Sequence, residues 1–256
     1  MSLAPARVAL VTGASRGIGA AIARALSQAG CAVVLAARSR EALEAVAGSL
    51  PGPSLVLPVD LAVRESAPAV VTATLQHFGR LDVLANNAGA TPRGDFLAFG
   101  DDDWDAGFAL KFFGAMRLCR AAWPALVASR GCIVNIAGIG GRTGSAEFAI
   151  GGAVNAALLN LTKALADRGI VDGVRVNAVN PSAIATERTQ ARIARIARER
   201  GVDDTSAAQA LAAQLRVARF GTPEEVAAVV AFLASPQAAY MQGAIVDVDG
   251  GQTRTL

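Results

Sequence analysis

Apolar residues in this chain fall in short runs separated by longer stretches of helical spacing. Seven runs have the length and the valine, isoleucine and leucine content of buried strands, at residues 8–11, 32–37, 54–59, 81–85, 132–137, 174–179 and 244–248. Between them lie segments predicted as helices, near 17–29, 40–48, 64–78, 102–129, 151–168 and 223–234. Strand and helix in regular alternation, with strands apolar throughout, predict an α/β fold of three layers, a doubly wound parallel sheet between two layers of helix. A further helical region, 187–217, is rich in Ala, Arg and Gln and breaks the alternation. It is expected to form a flap over the sheet edge and the substrate. No Pro/Gly/Ser-rich linker or composition shift divides the chain, so residues 1–256 are expected to form one domain.

The densest signal is at residues 8–22, VALVTGASRGIGAAI, where an apolar run meets Gly13, Gly17 and Gly19 and then an alanine-rich helix. Strand, glycine loop and helix start together present backbone N–H groups and the positive end of a helix dipole to an anion. The spacing is G-x-x-x-G-x-G, and a plain tight turn is the competing reading. The second strand ends at Ala37, where an acidic residue would bind a ribose 2′-hydroxyl, and Arg38 follows. With Arg16 in the glycine loop, two guanidinium groups suit a 2′-phosphate, which favours NADP(H) over NAD(H). Asp60 and Asn86-Asn87-Ala88-Gly89 stand at the carboxyl ends of the third and fourth strands, where such sheets bind ligands, although all are also turn formers.

Composition narrows the classes. A net charge of +3 is too small for a nucleic-acid footprint. No apolar run reaches membrane length uninterrupted, and no signal peptide is expected, so the cytoplasm is the expected compartment. Cys31, Cys119 and Cys132 lie in apolar contexts without ligand spacing and read as buried free thiols, and the single histidine, His77, has no metal-binding companion, so no metal site is expected.

Taken together, Thr12-Gly13-Ala14-Ser15-Arg16-Gly17-Ile18-Gly19, Asp60, Asn86-Asn87-Ala88-Gly89, Asn180-Pro181 and Val248-Asp249-Gly250-Gly251 resemble the short-chain dehydrogenase/reductase family over nearly the whole chain. The resemblance implies a Rossmann fold with a seven-stranded parallel sheet, a nicotinamide cofactor, and a homotetramer or homodimer. It implies that the cofactor is lined by Gly13, Ser15, Arg16, Gly17, Ile18, Gly19, Arg38, Asp60, Leu61, Asn87, Ala88, Gly89, Pro181, Ile184 and Thr186.

The resemblance breaks at the chemistry. Members of the family usually employ an Asn, a Ser, a Tyr and a Lys. Here the Ser position falls on Gly138, the Tyr and Lys positions on Gly151 and Asn155, and the Asn position on Lys111. The single tyrosine, Tyr240, lies in the C-terminal segment and cannot substitute. Lys and Asn look exchanged, so an ammonium from the neighbouring helix would remain in the pocket, with Lys111 and Asn155 as candidate catalytic residues. Lys111 lies on an apolar stripe with Trp104, Phe108, Ala115, Leu118 and Ala122, and is either a functional or a paired structural lysine. The space opened at Gly151 is expected to take a ligand group or one of Phe148, Phe112 and Phe113. Thr143, Ser145 and Glu147 are further polar candidates. The expected activity is NADP(H)-dependent oxidation or reduction of a small, apolar carbonyl or alcohol compound. The alternative is an inactive nucleotide-binding sensor or a partner subunit of an active relative.

Overall fold

The computed structural model describes residues 7–254. The first six residues, on which the signal-peptide expectation partly rests, lie outside it. Seven strands form one parallel sheet in the order β3-β2-β1-β4-β5-β6-β7. They are β1 (Val8–Thr12), β2 (Ala32–Ala37), β3 (Ser54–Pro58), β4 (Val83–Asn86), β5 (Cys132–Ile136), β6 (Arg175–Pro181) and β7 (Ile245–Val248). The connecting helices are α1 (Gly17–Gln28), α2 (Arg40–Ala47), α3 (Ser66–Phe78), α4 (Asp101–Phe108), α5 (Ala115–Ser129), α6 (Ala149–Asp172), α7 (Glu187–Arg200), α8 (Asp204–Leu215) and α9 (Pro223–Ala234).

The strands read as continuous apolar runs because both faces are covered. Side chains alternate, so Ala9 and Val11 of β1 pack with Ile22 of α1, Leu43 of α2 and Val230 of α9. Val8 and Leu10 face the other way, with Val70 of α3 and Leu118 and Leu126 of α5. The chain runs from β1 outward to β3, then returns to place β4 on the other side of β1. The carboxyl ends of β1 and β4 therefore flank the crevice where the strand order reverses, the usual ligand position in such sheets.

Two helices depart from the sequence reading. The predicted helix 102–129 is divided by a π-helical segment, Ala109–Gly114, whose wider turns carry Lys111. An extra residue in the turn displaces the 3.6-residue pattern there, and such insertions recur at functional sites. Helix α6 runs past Gly169 to Asp172 and stops at Gly173, which has φ +74°. Gly169 is retained inside the helix because a side chain there would meet the Val174 carbonyl. The stretch Ala146–Asp172 has the length and mean hydropathy, 1.3, of a membrane span, although its glycines break up the apolar runs. In the fold Ile150, Val154, Leu158 and Thr162 of this helix are buried, as a core helix requires.

Candidate active site

The glycine loop forms because its glycines occupy positions closed to other residues. Gly13 and Gly17 take φ +64° and +53°, the left-handed region that glycine enters without a steric penalty. Gly19 is needed for a different reason: a Cβ there would lie 2.1 Å from the Gly13 carbonyl oxygen and 2.5 Å from Asn87 Nδ2. Helix α1 consequently begins directly behind the loop. Its first N–H groups receive no side-chain cap, and its first turn holds no acidic residue, so donors and dipole remain available to an anion. Residue Thr12, not singled out as a separate site residue by the sequence pattern, ties the two strand ends together. Its Oγ1 accepts from the N–H groups of Asn87 and Ala88, both at 3.0 Å. Asn87 Nδ2 in turn donates to the carbonyls of Thr12 at 3.0 Å and Gly13 at 3.3 Å.

Lys111 and Asn155 come together at the end of β5 from different helical elements. The Lys111 stem lies against Gly89, where a Cβ would be 2.7 Å from Lys111 Cδ. Its Nζ donates to the carbonyl oxygen of Ala137 at 2.6 Å. Burial, and secondarily the positive charge of Arg188, lower its pKa from the ordinary 10.5 to about 8. Beside Ala137, Gly138 has φ +140°, a conformation L side chains rarely adopt, and its N–H donates to Asn180 Oδ1 at 3.1 Å. Asn155 is buried, its Nδ2 3.0 Å from where a Gly138 Cβ would be, and its Oδ1 has no hydrogen-bond partner among the described residues. An unpaired buried acceptor costs about 1–3 kcal/mol unless a ligand or water supplies a donor.

The space beside Gly151 is filled by Phe148: a Cβ on Gly151 would lie 2.1 Å from Phe148 Cζ. Phe112 and Phe113 instead pack edge-on or tilted against one another and against Phe108. The guanidinium carbon of Arg93 sits 4.3 Å from the Phe148 ring centroid.

The remaining sequence-predicted residues are spread round the same sheet end. Arg38 is exposed after β2. Arg16 is also exposed, with its Nη1 2.9 Å from Glu187 Oε2, an exchangeable pairing worth about 0–1 kcal/mol. Asp60 Oδ1 accepts from the Ala62 N–H at 2.9 Å, so Asp60 does form the turn that competes with a ligand role. Leu61 is buried, and its carbonyl oxygen lies 2.9 Å from where a Gly114 Cβ would be. Pro181 ends β6, Ile184 is buried and bridges to Gly221, and the Thr186 methyl lies over Gly17. Ser15 and Ile18 lie partly buried in the loop and first turn. His77 is exposed at the end of α3, and the described residues contain no cluster of metal-ligating side chains. Cys31, Cys119 and Cys132 are free and buried, and burial pushes the Cys119 thiol up to about 12.

Residues 13–253 match the family model described as enoyl-(acyl carrier protein) reductase. The chain belongs to the short-chain dehydrogenase/reductase family. It is 37% identical to the meso-2,3-butanediol dehydrogenase of Serratia marcescens over 96% of this chain and 94% of that protein. It is 35% identical to the 3-oxoacyl-(acyl-carrier-protein) reductase FabG of Vibrio cholerae, over 96% of each. Among solved structures, the L-sorbose reductase of Gluconobacter frateurii, complexed with NADPH and L-sorbose, superposes with a TM-score of 0.93 at 33% identity over 98% of both chains. YwfH, an NADPH-dependent reductase involved in bacilysin biosynthesis, superposes with a TM-score of 0.91 at 28% identity, over 98% of this chain and 100% of its own. The family is one of NAD(P)-dependent oxidoreductases, and the residues present fit such a dinucleotide. They offer an uncapped helix start behind a glycine cradle, two exposed arginines, Arg16 in the loop and Arg38 after β2, and the unpaired buried amide oxygen of Asn155.

Proposed function

We propose that this protein is an NADP(H)-dependent oxidoreductase acting on a carbonyl or alcohol, with a rebuilt site in which Lys111 acts where its relatives use other residues. The observation that carries the reading is the ammonium at the end of β5, 2.6 Å from the Ala137 carbonyl and packed against Gly89. A bound nicotinamide dinucleotide supplies the hydride. The glycine loop and α1 would hold its phosphates, Arg16 and Arg38 its 2′-phosphate, and Asn155 Oδ1 a ribose hydroxyl. An ammonium has three donors and Ala137 takes one, which leaves two to polarise a substrate oxygen. With a pKa near 8, Lys111 holds its proton at neutral pH and is able to release it to a developing alkoxide. The NADPH complex of the L-sorbose reductase supports the cofactor.

The pair of helices α7 and α8 acts in this reading as the flap, supported by two contacts across the crevice, Arg16 with Glu187 and Arg188 with the Gly89 carbonyl. Exposed Val127 on α5 and Ile170 and Val171 on α6 support pairing of copies into a homodimer or homotetramer.

A second reading has its own observation. Phe148 fills the space beside Gly151, which suits a protein that binds the nucleotide without turning over substrate. Titration with NADPH and NADH, followed by nicotinamide fluorescence, separates the two readings when joined to a carbonyl screen. The first predicts tighter NADPH binding, weakened at least tenfold by Arg38→Asp, and turnover abolished by Lys111→Met with cofactor affinity kept. NADPH binding without turnover of any carbonyl supports the second. Binding of neither nucleotide refutes both.

A further inference from the structure

Three arginines from two separate segments, Arg93 and the α7 pair Arg188 and Arg192, have no carboxylate within 4.0 Å among the described residues, and Arg188 reaches the residue that Lys111 packs against. Arg188 and Arg192 are one turn apart on α7, and Arg188 Nη2 donates to the Gly89 carbonyl at 3.4 Å. Gly89 is the residue against which the Lys111 stem packs. Arg93 approaches from the loop after β4 and lies over the Phe148 ring, which itself covers Gly151. Arg93 and Arg188 are exposed and Arg192 is half-buried; desolvation and then the charge of Arg192 draw Arg93 below the usual arginine range, Glu147 partly offsets this, and Arg188 adds to it. Glu147 is the one acid in that balance and forms no ion pair with Arg93 among the described residues. Glu187, next to Arg188 in the chain, is engaged with Arg16.

Like charges brought together from separate elements oppose folding, and an oxyanion between them would relieve the repulsion. The phosphates of a dinucleotide are accounted for by the glycine loop and α1. On the proposed hydride-transfer reading, on which this inference rests, what is left to fill the arginine cluster is the substrate. We propose that the substrate carries a terminal oxyanion, a carboxylate or a phosphate, held by Arg93, Arg188 and Arg192 with its carbonyl directed to Lys111. A guanidinium fork matches either oxyanion with two parallel hydrogen bonds. The Phe148 ring anchors the Arg93 guanidinium, whose carbon lies 4.3 Å from the ring centroid. Phe148 then serves as an apolar wall for the short carbon skeleton between oxyanion and carbonyl.

The test uses two matched pairs on the NADPH-loaded protein: 3-oxobutanoate against its methyl ester, and dihydroxyacetone phosphate against dihydroxyacetone. Calorimetry gives affinity and NADPH consumption gives turnover. At least one charged member should bind ten times more tightly than its neutral partner, and the pair with the larger gap identifies carboxylate or phosphate. Arg93→Gln and the double variant Arg188→Gln/Arg192→Gln should each shrink that gap at least tenfold while the NADPH Kd moves less than twofold. Equal affinities for charged and neutral members overturn the proposal and leave the hydride-transfer reading intact. A parallel loss of NADPH affinity in the double variant also overturns it, because the arginines would then belong to the cofactor. Should NADPH not bind at all, the hydride-transfer reading fails instead. The same titrations without NADPH then decide the anion site, a preference for the charged members supporting it and none overturning it.

Discussion

Replacing Lys111 by Met should raise the stability of the fold while abolishing turnover. Methionine keeps the length of the stem against Gly89 and removes the charge. The lysine pKa falls from the ordinary 10.5 to about 8 in the fold, and each tenfold change in protonation is worth about 1.4 kcal/mol. The native state therefore pays about 3 kcal/mol to keep this ammonium charged at pH 7. The variant loses the bond to Ala137, which gives back about 1 kcal/mol. The net gain is about 2 kcal/mol, or about 4 °C in Tm for a chain of this size. The difference narrows with pH in a defined window. Between pH 8 and 10.5 the unfolded chain still holds the proton that native Lys111 has lost, so the wild type gains stability as pH rises and the advantage of the variant shrinks. Urea unfolding of both proteins at pH 7 and pH 10, at one protein concentration, measures it. A less stable variant at pH 7, or a difference unchanged between the two pH values, refutes the buried-cation argument. Stability gained where activity is lost would mark Lys111 as a residue retained for function.

Three further outcomes follow from the geometry. Gly19→Ala forces a Cβ onto the Gly13 carbonyl, so it should cost about 2 kcal/mol or more and weaken NADPH binding at least tenfold, read by unfolding and by nicotinamide fluorescence. Gly151→Ala should destabilise by about 1–2 kcal/mol despite its better helix propensity, because its Cβ overlaps Phe148; the double variant with Phe148→Ala should show a coupling energy above about 1 kcal/mol in a double-mutant cycle. Asn155→Leu removes an unpaired buried acceptor, so thermal stability should hold or rise by about 1 kcal/mol while NADPH affinity falls severalfold. Lost stability with unchanged affinity would show that Asn155 is structural.

Local pattern determined the framework of this protein. All seven strands occur where the apolar runs lie, within about two residues at each end, because a strand covered on both faces must be apolar along its whole length. The glycine loop, too, was legible, since Gly13 and Gly17 answer to backbone conformation and Gly19 to a contact a few residues away. The sequence also showed glycines at 138 and 151 with a lysine at 111. It left open which group would enter the space at Gly151, because three phenylalanines were within reach of the same argument. Tertiary packing chose Phe148, placed Arg93 over it, and widened the helix at residues 109–114 to carry Lys111. It also left Asn155 Oδ1 without a partner among the described residues and set Arg188 against a loop about a hundred residues earlier in the chain. None of these has a periodic signature, for a reason that is physical: periodicity records which face of an element is buried, whereas a site is made by side chains from elements distant in sequence, whose distances exist only after the sheet has assembled.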